Sequence, residues 1–262
     1  MNILGAALHR QLKCDVEVET ITDRAGLDAI ESIRAVEPGR PRLFCGPVMG
    51  MQYAEKILQQ GTALESLTPI AKLSNGYSVT LFAKRGGRLK TWSDIAAVSP
   101  LKVSAPVKNA PGYLAELMME HSGLKTEVTT HDGAPPIVDD VLSGRCDVGI
   151  VNTILVIKQL DRLQPIVSFG AARNSDLGQT PSFAEVTGNP KLAFTESIGA
   201  FASPKIDPAL AGFLTKALVA AGEDEATVDQ AEAADLPLAI NGPDVLVGTL
   251  KRNEGVLQRI LG

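Results

Sequence analysis

The segment from Thr126 to Val151 constrains the fold more than any other part of the chain. Thr126 to Thr130 reads as a strand and Gly133 to Pro136 as a turn. Ile137 to Leu142 reads as a helix closed by Gly144, and Asp147 to Val151 is rich in the β-branched residues that favour strands. Strand, turn, capped helix and strand in immediate succession point to α/β architecture. The pattern recurs on both sides. Upstream, Leu4 to Leu12 reads as a helix, Val16 to Thr20 and Arg42 to Cys45 as strands, and Met51 to Gln60 as a helix stopped by Gly61. Ser78 to Ala83 is a strand, Thr91 or Ser93 caps a short helix, Lys102 to Ala105 is a strand, and Pro111 to His121 is a helix ended by Gly123. Downstream, Ile166 to Phe169 and Ser197 to Ala202 are strands separated by a polar stretch from Asn174 to Lys191. Asp207 and Pro208 open a helix that Gly222 ends, and a last helix runs from about Pro243 to Leu261.

At 262 residues the chain suffices for one large domain or two modest ones. Its longest run without Asp, Glu, Lys or Arg, from Leu43 to Ala54, covers about half a bilayer span, so no membrane helix is expected. A net charge of −5 leaves no basic footprint for phosphate backbones, which excludes nucleic acid as a partner. Cys14, Cys45 and Cys146 are far apart and odd in number, so a disulfide scaffold is excluded, although one pair is free to bridge if the fold brings it together. There is no CxxC, and His9, His121 and His131 share no ligand spacing, so neither a metal nor a cofactor is expected. The apolar run from Ile3 to Leu8 follows no basic residue and is too short for a secretory signal. Either the chain is cytoplasmic, or a stretch before Met1 has been removed or not recorded.

Catalytic motifs are missing. No two glycines are separated by a single residue, which excludes GxGxxG, and GxxxxGK[ST], HExxH and GxSxG do not occur. Ser99 to Lys102 matches SxxK, but Pro100 and the following strand keep Ser and Lys from lying one helical turn apart. Asp139 and Asp140 are adjacent on a helix, point about 100° apart, and read as solvated surface. Lys84 to Lys90 is basic but contains Gly86 and Gly87, which makes it a turn. No Ser, Cys or Asp is placed by sequence beside any His, so none reads as a general base. The chain is not read as an enzyme.

What is left is a set of turns. Three times a strand ends in small residues and prolines that open a helix: Cys45 to Gly50, Ala105 to Gly112, and Asp132 to Pro136. In open α/β sheets ligands sit beyond the carboxyl ends of strands, where helix N-termini offer unpaired N–H groups and a positive dipole. Prolines at 47, 106, 111, 135 and 136 carry no N–H, so donors fall to residues such as Val48, Met49, Asn109, Ala110, Gly133 and Ala134.

These turns resemble those of the substrate-binding proteins of tripartite tricarboxylate transporters, the Bug family. DGAPPIVDDVLSGRCDVGIVN, from Asp132 to Asn152, resembles KGSxPAxxDLLxGxxDVxxxN, with matches that include Gly133, Asp140, Leu142, Gly144, Asp147 and Asn152. TPSFAEVTG, IGAFASPKIDPALAGFLTKAL and SAPVKNAPGYLAEL resemble the family's VPTxAEAG, xGLFAPAGTPxxxxxxLNxxxxxxL and GSSGxGSxxHLAxEL. The four motifs fall in order over nearly the whole chain. In three places the chain departs from the family pattern: the family's first strand with its GGxxD turn is missing, its RPGAGG is shortened to Arg24-Ala25-Gly26-Leu27, and Pro106 to Asn109 replaces a glycine-rich loop.

The resemblance implies a type II periplasmic binding protein fold, in which two α/β lobes joined by two crossing strands close on a ligand. It implies one lobe of residues 1–98 and 200–262 and another of 99–199. The ligand-binding residues it implies are Gly46, Pro47, Val48 and Met49 from one lobe, with Ser104, Val107, Lys108, Asn109, Ala110, Gly133, Ala134 and Asn152 from the other. Lys108 would add a charge-assisted contact. The implied function is capture of a small organic carboxylate in the periplasm, by a monomer, for delivery to membrane permease subunits. The alternative classes are a cytoplasmic small-molecule sensor and an enzyme on the same scaffold.

Overall fold

A computed structural model of the chain describes residues 2–21, 27–34, 41–58, 64–74, 76–106, 111–234, 236 and 238–261. In chain order its elements are α1 (Asn2–Leu12), α2 (Leu27–Arg34), β1 (Leu43–Pro47), α3 (Val48–Leu58), β2 (Thr68–Ser74), β3 (Val79–Lys84), α4 (Trp92–Ala96), β4 (Leu101–Pro106), α5 (Pro111–His121), β5 (Thr126–His131) and α6 (Ala134–Ser143). These are followed by β6 (Val148–Asn152), α7 (Thr153–Ile157), β7 (Leu163–Ser168), α8 (Phe183–Thr187), β8 (Ile198–Ala202), α9 (Pro208–Glu223), α10 (Glu225–Ala233), β9 (Leu238–Asn241) and α11 (Pro243–Leu261). The chain divides into two compact units, Met1–Gly76 with Ser197–Glu254, and Tyr77–Glu196 with Gly255–Gly262.

The first unit is built on a sheet of order β1-β8-β2-β9, antiparallel throughout. Alternate residues face opposite sides of it. Phe44 and Phe201 pack on one side with Ile30 and Ile33 of α2, Val48 and Met51 of α3, and Leu246 of α11. Ala200, Ala202, Ile70 and Leu73 pack on the other with Leu4 and Leu8 of α1 and Leu214 and Leu218 of α9. Pro69, which cannot donate to a ladder, lies where the β2–β8 register shifts.

Four readings of the sequence change here. Val16 to Thr20 forms no strand: the segment has no ladder partner and Val18 is 39% exposed. Alternation alone does not make a strand without a neighbour to pair with. The glycine at 222 does not end α9, which runs to Glu223; a Cβ there would stand 2.9 Å from Ile240, so the glycine admits close approach of β9. The prolines at 135 and 136 are not a turn but the first turn of α6, where a missing N–H costs no helical bond. The stretch from Asn174 to Lys191 includes α8, capped by Ser182 and Glu185 in a reciprocal capping box. The proposed stop at Gly61 lies outside the described residues.

The second unit holds a sheet of order β5-β4-β6-β3-β7, with β4 parallel to β5 and β6, and β3 antiparallel to β6 and β7. The sequence reading placed β3 in the first lobe with a crossing near Pro100. The chain instead enters the second unit at Tyr77, because β3 hydrogen-bonds between β6 and β7. It leaves after Glu196, and Tyr77 and Glu196 exchange both backbone hydrogen bonds, at 2.7 and 2.8 Å. Phe82, Ile137, Val138, Val141, Val151 and Val156 form the core that seats α6 on the sheet. Phe169 stacks on Phe183 with ring centroids 4.7 Å apart, and Trp92 meets Phe183 edge-on.

Glu55 of α3 is buried and its Oε1 accepts the Leu64 N–H at 2.6 Å. Burial pushes its carboxyl up to about 7, against the lowering effect of that hydrogen bond. A carboxyl raised in the folded state contributes stability below its unfolded pKa and loses it as pH rises through the folded value. Glu55→Gln, which keeps an acceptor for Leu64, is therefore expected to gain about 1–2 kcal/mol at pH 8, with allowance for solvent screening, and nothing at pH 4.5. Urea melts at the two pH values check this; an equal shift at both would remove the carboxyl as its cause.

Candidate functional site

The parallel strands of the second unit carry their carboxyl ends to one edge of the sheet. Pro106 closes β4 opposite His131, which closes β5, and Asn152 closes β6 opposite Val79 at the start of β3. Ser168 ends β7 at the same level, opposite Thr80. Hydroxyls stitch this edge together: Ser78 Oγ lies 2.8 Å from Thr153 Oγ1 and 3.1 Å from Ser168 Oγ, and Thr80 Oγ1 lies 2.9 Å from Thr153 Oγ1. The Thr153 hydroxyl also donates to the Ser78 carbonyl at 2.8 Å.

From this edge α6 begins. Gly133 is its N-cap, with φ 105° and ψ 172°, a conformation essentially confined to glycine, and no side chain caps the helix. Pro135 and Pro136 have no N–H, and Gly133 gives its own to the His131 carbonyl at 3.2 Å, so Ala134 supplies the first turn's remaining donor. An anion here meets one backbone N–H and the positive end of a ten-residue helix.

Beneath the turn lies a buried carboxylate. Asp140 of α6 is 4% exposed; its Oδ2 accepts from Ser104 Oγ at 3.0 Å and from His131 Nε2 at 2.6 Å, and its Oδ1 accepts from Arg145 Nε at 2.6 Å. Burial works against the charge, but the hydrogen bonds from His131, Arg145 and Ser104, with the Arg145 charge, together hold the Asp140 carboxyl below the ordinary range. An ionised carboxylate accepts only, so the proton between it and His131 belongs to Nε2. The reading of Asp139 and Asp140 as solvated surface is thus wrong for Asp140. Adjacent helix positions point about 100° apart, which sent one outward and the other inward.

Of the sequence-selected residues, Gly133, Ala134 and Asn152 stand at this edge. Asn152 caps α7, its side chain accepting the Ile154 N–H at 3.0 Å. Ser104 is fully buried and donates to Asp140, so it lies under the turn. Val107, Lys108, Asn109 and Ala110 lie outside the described residues. In the first unit Gly46 and Pro47 end β1, and Val48 and Met49, both fully buried, open α3. There the Val48 N–H already donates to the Ser197 carbonyl at 2.8 Å. Sequence reasoning missed His131, Arg145 and the hydroxyls of Ser78, Thr80, Thr153 and Ser168. The available signal for the buried carboxylate was that Asp140, at a motif position, lies on the same helix face as Ile137 and beside Val141.

Cys45 is pushed up to about 12 by burial, which leaves it no thiolate at neutral pH. Cys14, Cys45 and Cys146 are all unpaired. Among the described residues no group of three or more His, Cys, Asp or Glu side chains is placed to hold a metal ion, and no helix is long and apolar enough to cross a membrane.

No known family's sequence profile matches the chain, and no curated protein matches it in sequence. Solved structures do resemble it. A TctC solute-binding protein from Polaromonas superposes with a TM-score of 0.77 at 14% identity, over 99% of this chain and 92% of its own. MatC from Rhodopseudomonas palustris with bound malate gives 0.78 at 18% identity, over 100% of this chain and 92% of its own. Rpa4515 from R. palustris with adipate gives 0.71 at 15% identity, over 99% and 91%. The chain has the type II periplasmic binding protein fold expected from its motifs, built as two α/β units.

Proposed function

We propose that this chain, which shares its fold with the TctC and MatC solute-binding proteins, is an extracytoplasmic receptor that captures a small organic carboxylate. The observation that carries the reading is the α6 N-terminus, an uncapped helix end at the carboxyl edge of a sheet with the Ala134 N–H available to an anion. MatC with bound malate and Rpa4515 with adipate, which share this fold, support the carboxylate reading. In this reading the protein is a periplasmic monomer of the tripartite tricarboxylate type that delivers its ligand to membrane permease subunits and does not transform it. Gly133, Ala134 and Asn152 of the second unit contact the ligand.

A thermal-shift screen of di- and tricarboxylates, including malate and adipate, tests this. A micromolar ligand binds with about −8.2 kcal/mol, and at a hundredfold excess it stabilises the fold by about 2.7 kcal/mol. The melting temperature is expected to rise by about 5–10 °C for at least one acid, which is recovered unchanged. A flat screen, or consumption of the acid, would sink the proposal.

A further inference from the structure

We infer that Asp140 is the positioning residue of the anion-binding turn, holding Gly133 and Ala134 in the geometry that a carboxylate needs. The inference rests on the carboxylate-capture reading and adds a residue to its machinery. Asp140 reaches three separate pieces of the chain. It is tied to the middle of β4 through Ser104, to the last residue of β5 through His131, and to the segment after α6 through Arg145. The bond to His131 is the decisive one. His131 lies two residues before Gly133 and its carbonyl takes the Gly133 N–H, so a contact from the second turn of α6 back to His131 closes a loop over the turn. Core packing of Ile137, Val138 and Val141 seats α6 on the sheet, but with two prolines in the first turn and no capping side chain it is the Asp140–His131 bond that ties the residues just before Gly133 to the helix.

The charge of Asp140 argues in the same direction. A carboxylate close to an anion site repels the anion, so its presence there is unfavourable unless it does something else. Here His131 and Arg145 offset it, and the three donors use both of its oxygens. A positioning role and a merely electrostatic one therefore predict opposite signs for its neutralisation.

Asp140→Asn in the full chain makes that separation, with calorimetric titration of malate and adipate as probes and hydrogen exchange followed on the peptide spanning 131–137. Positioning predicts binding at least tenfold weaker, and exchange at least tenfold faster in that peptide without a change in peptides of the first unit. Asp140→Glu, which keeps the charge and the acceptors, is expected to recover part of the affinity. Unchanged or tighter binding by Asp140→Asn overturns the inference, as does unchanged exchange. If Asp140→Asn fails to fold, His131→Phe removes the decisive donor and is expected to weaken binding at least fivefold with the same local exchange signature; no change in either overturns the inference. The wild-type titration separates the two levels. If neither acid, nor any other of the screened di- and tricarboxylates, binds the wild-type protein, the carboxylate reading falls and the ligand role of Asp140 with it. If an acid binds and the variants bind it as well, the inference alone falls.

Discussion

Ala134→Asp is expected to weaken carboxylate binding by at least a hundredfold while leaving the melting temperature unchanged or slightly raised. Ala134 is the first residue of α6, and its N–H is the turn's available donor. A carboxylate at a helix N-terminus interacts favourably with the dipole and with exposed N–H groups, typically by about 0.3–1 kcal/mol. The substituted side chain would thus occupy the place assigned to the ligand and stabilise the free protein as a ligand would. It would also repel any bound anion: two unit charges about 4 Å apart interact with about 4 kcal/mol at the effective dielectric of a protein surface. Even with half of that screened, the affinity loss exceeds tenfold, and loss of the donor adds to it. Titration and thermal melting of the same preparation give both readouts. Retained affinity would show that Gly133 and Ala134 form only a turn and that the central site assignment is wrong.

Phe82→Ala is expected to cost about 3–5 kcal/mol, the range for emptying an aromatic ring from a closed core. The ring is 0% exposed and lies against Gly149, its register partner on β6, where a Cβ would come within 2.6 Å of it. Gly149 has no side chain to fill the space, although Ile137 Cγ2 reaches within 3.0 Å of the same position. Ile137, Val138 and Val141 of α6 rest on the same cluster, so the cavity loosens the helix whose N-terminus is proposed to hold the anion. Thermal unfolding should show a melting temperature lower by about 10 °C, accompanied by weaker carboxylate binding. A loss below 1 kcal/mol would mean that the core collapses around the deletion and that α6 is held elsewhere.

Elements with local signals were legible in the sequence. Pro111–His121 and Pro243–Leu261 are helices with the bounds read from their prolines and apolar spacing. Asp207 and Pro208 open α9, and Gly144 adopts the left-handed conformation that ends α6. Elements defined by partners were not legible. β2 carries Pro69 and Lys72 within seven residues and β9 is four residues long, so neither has a strand pattern of its own. Both are strands because β8 and β2 lie beside them. Val16 to Thr20 failed in the opposite sense, with the pattern but no partner. The site divides along the same line. The glycine and prolines of the α6 turn announce a backbone geometry, whereas the inward turn of Asp140 depends on Ser104 and His131, which stand 36 and 9 residues away.

The position of β8 has a consequence for how the protein is made. This strand lies inside the first sheet, hydrogen-bonded to β1 on one side and β2 on the other, yet it is translated only after Tyr77–Glu196 has been synthesised in full. At ribosomal rates of about 5–20 residues per second, that interval is on the order of ten seconds. Throughout it β1 and β2 are both present on the nascent chain with no strand to join them, and each presents unpaired edge groups. The inserted unit, whose ends Tyr77 and Glu196 are hydrogen-bonded to each other, has all five of its strands before Ser197 emerges. Co-translational folding is therefore ordered from the inserted unit outward, and β1 and β2, made before it, wait for a sheet that forms only after it.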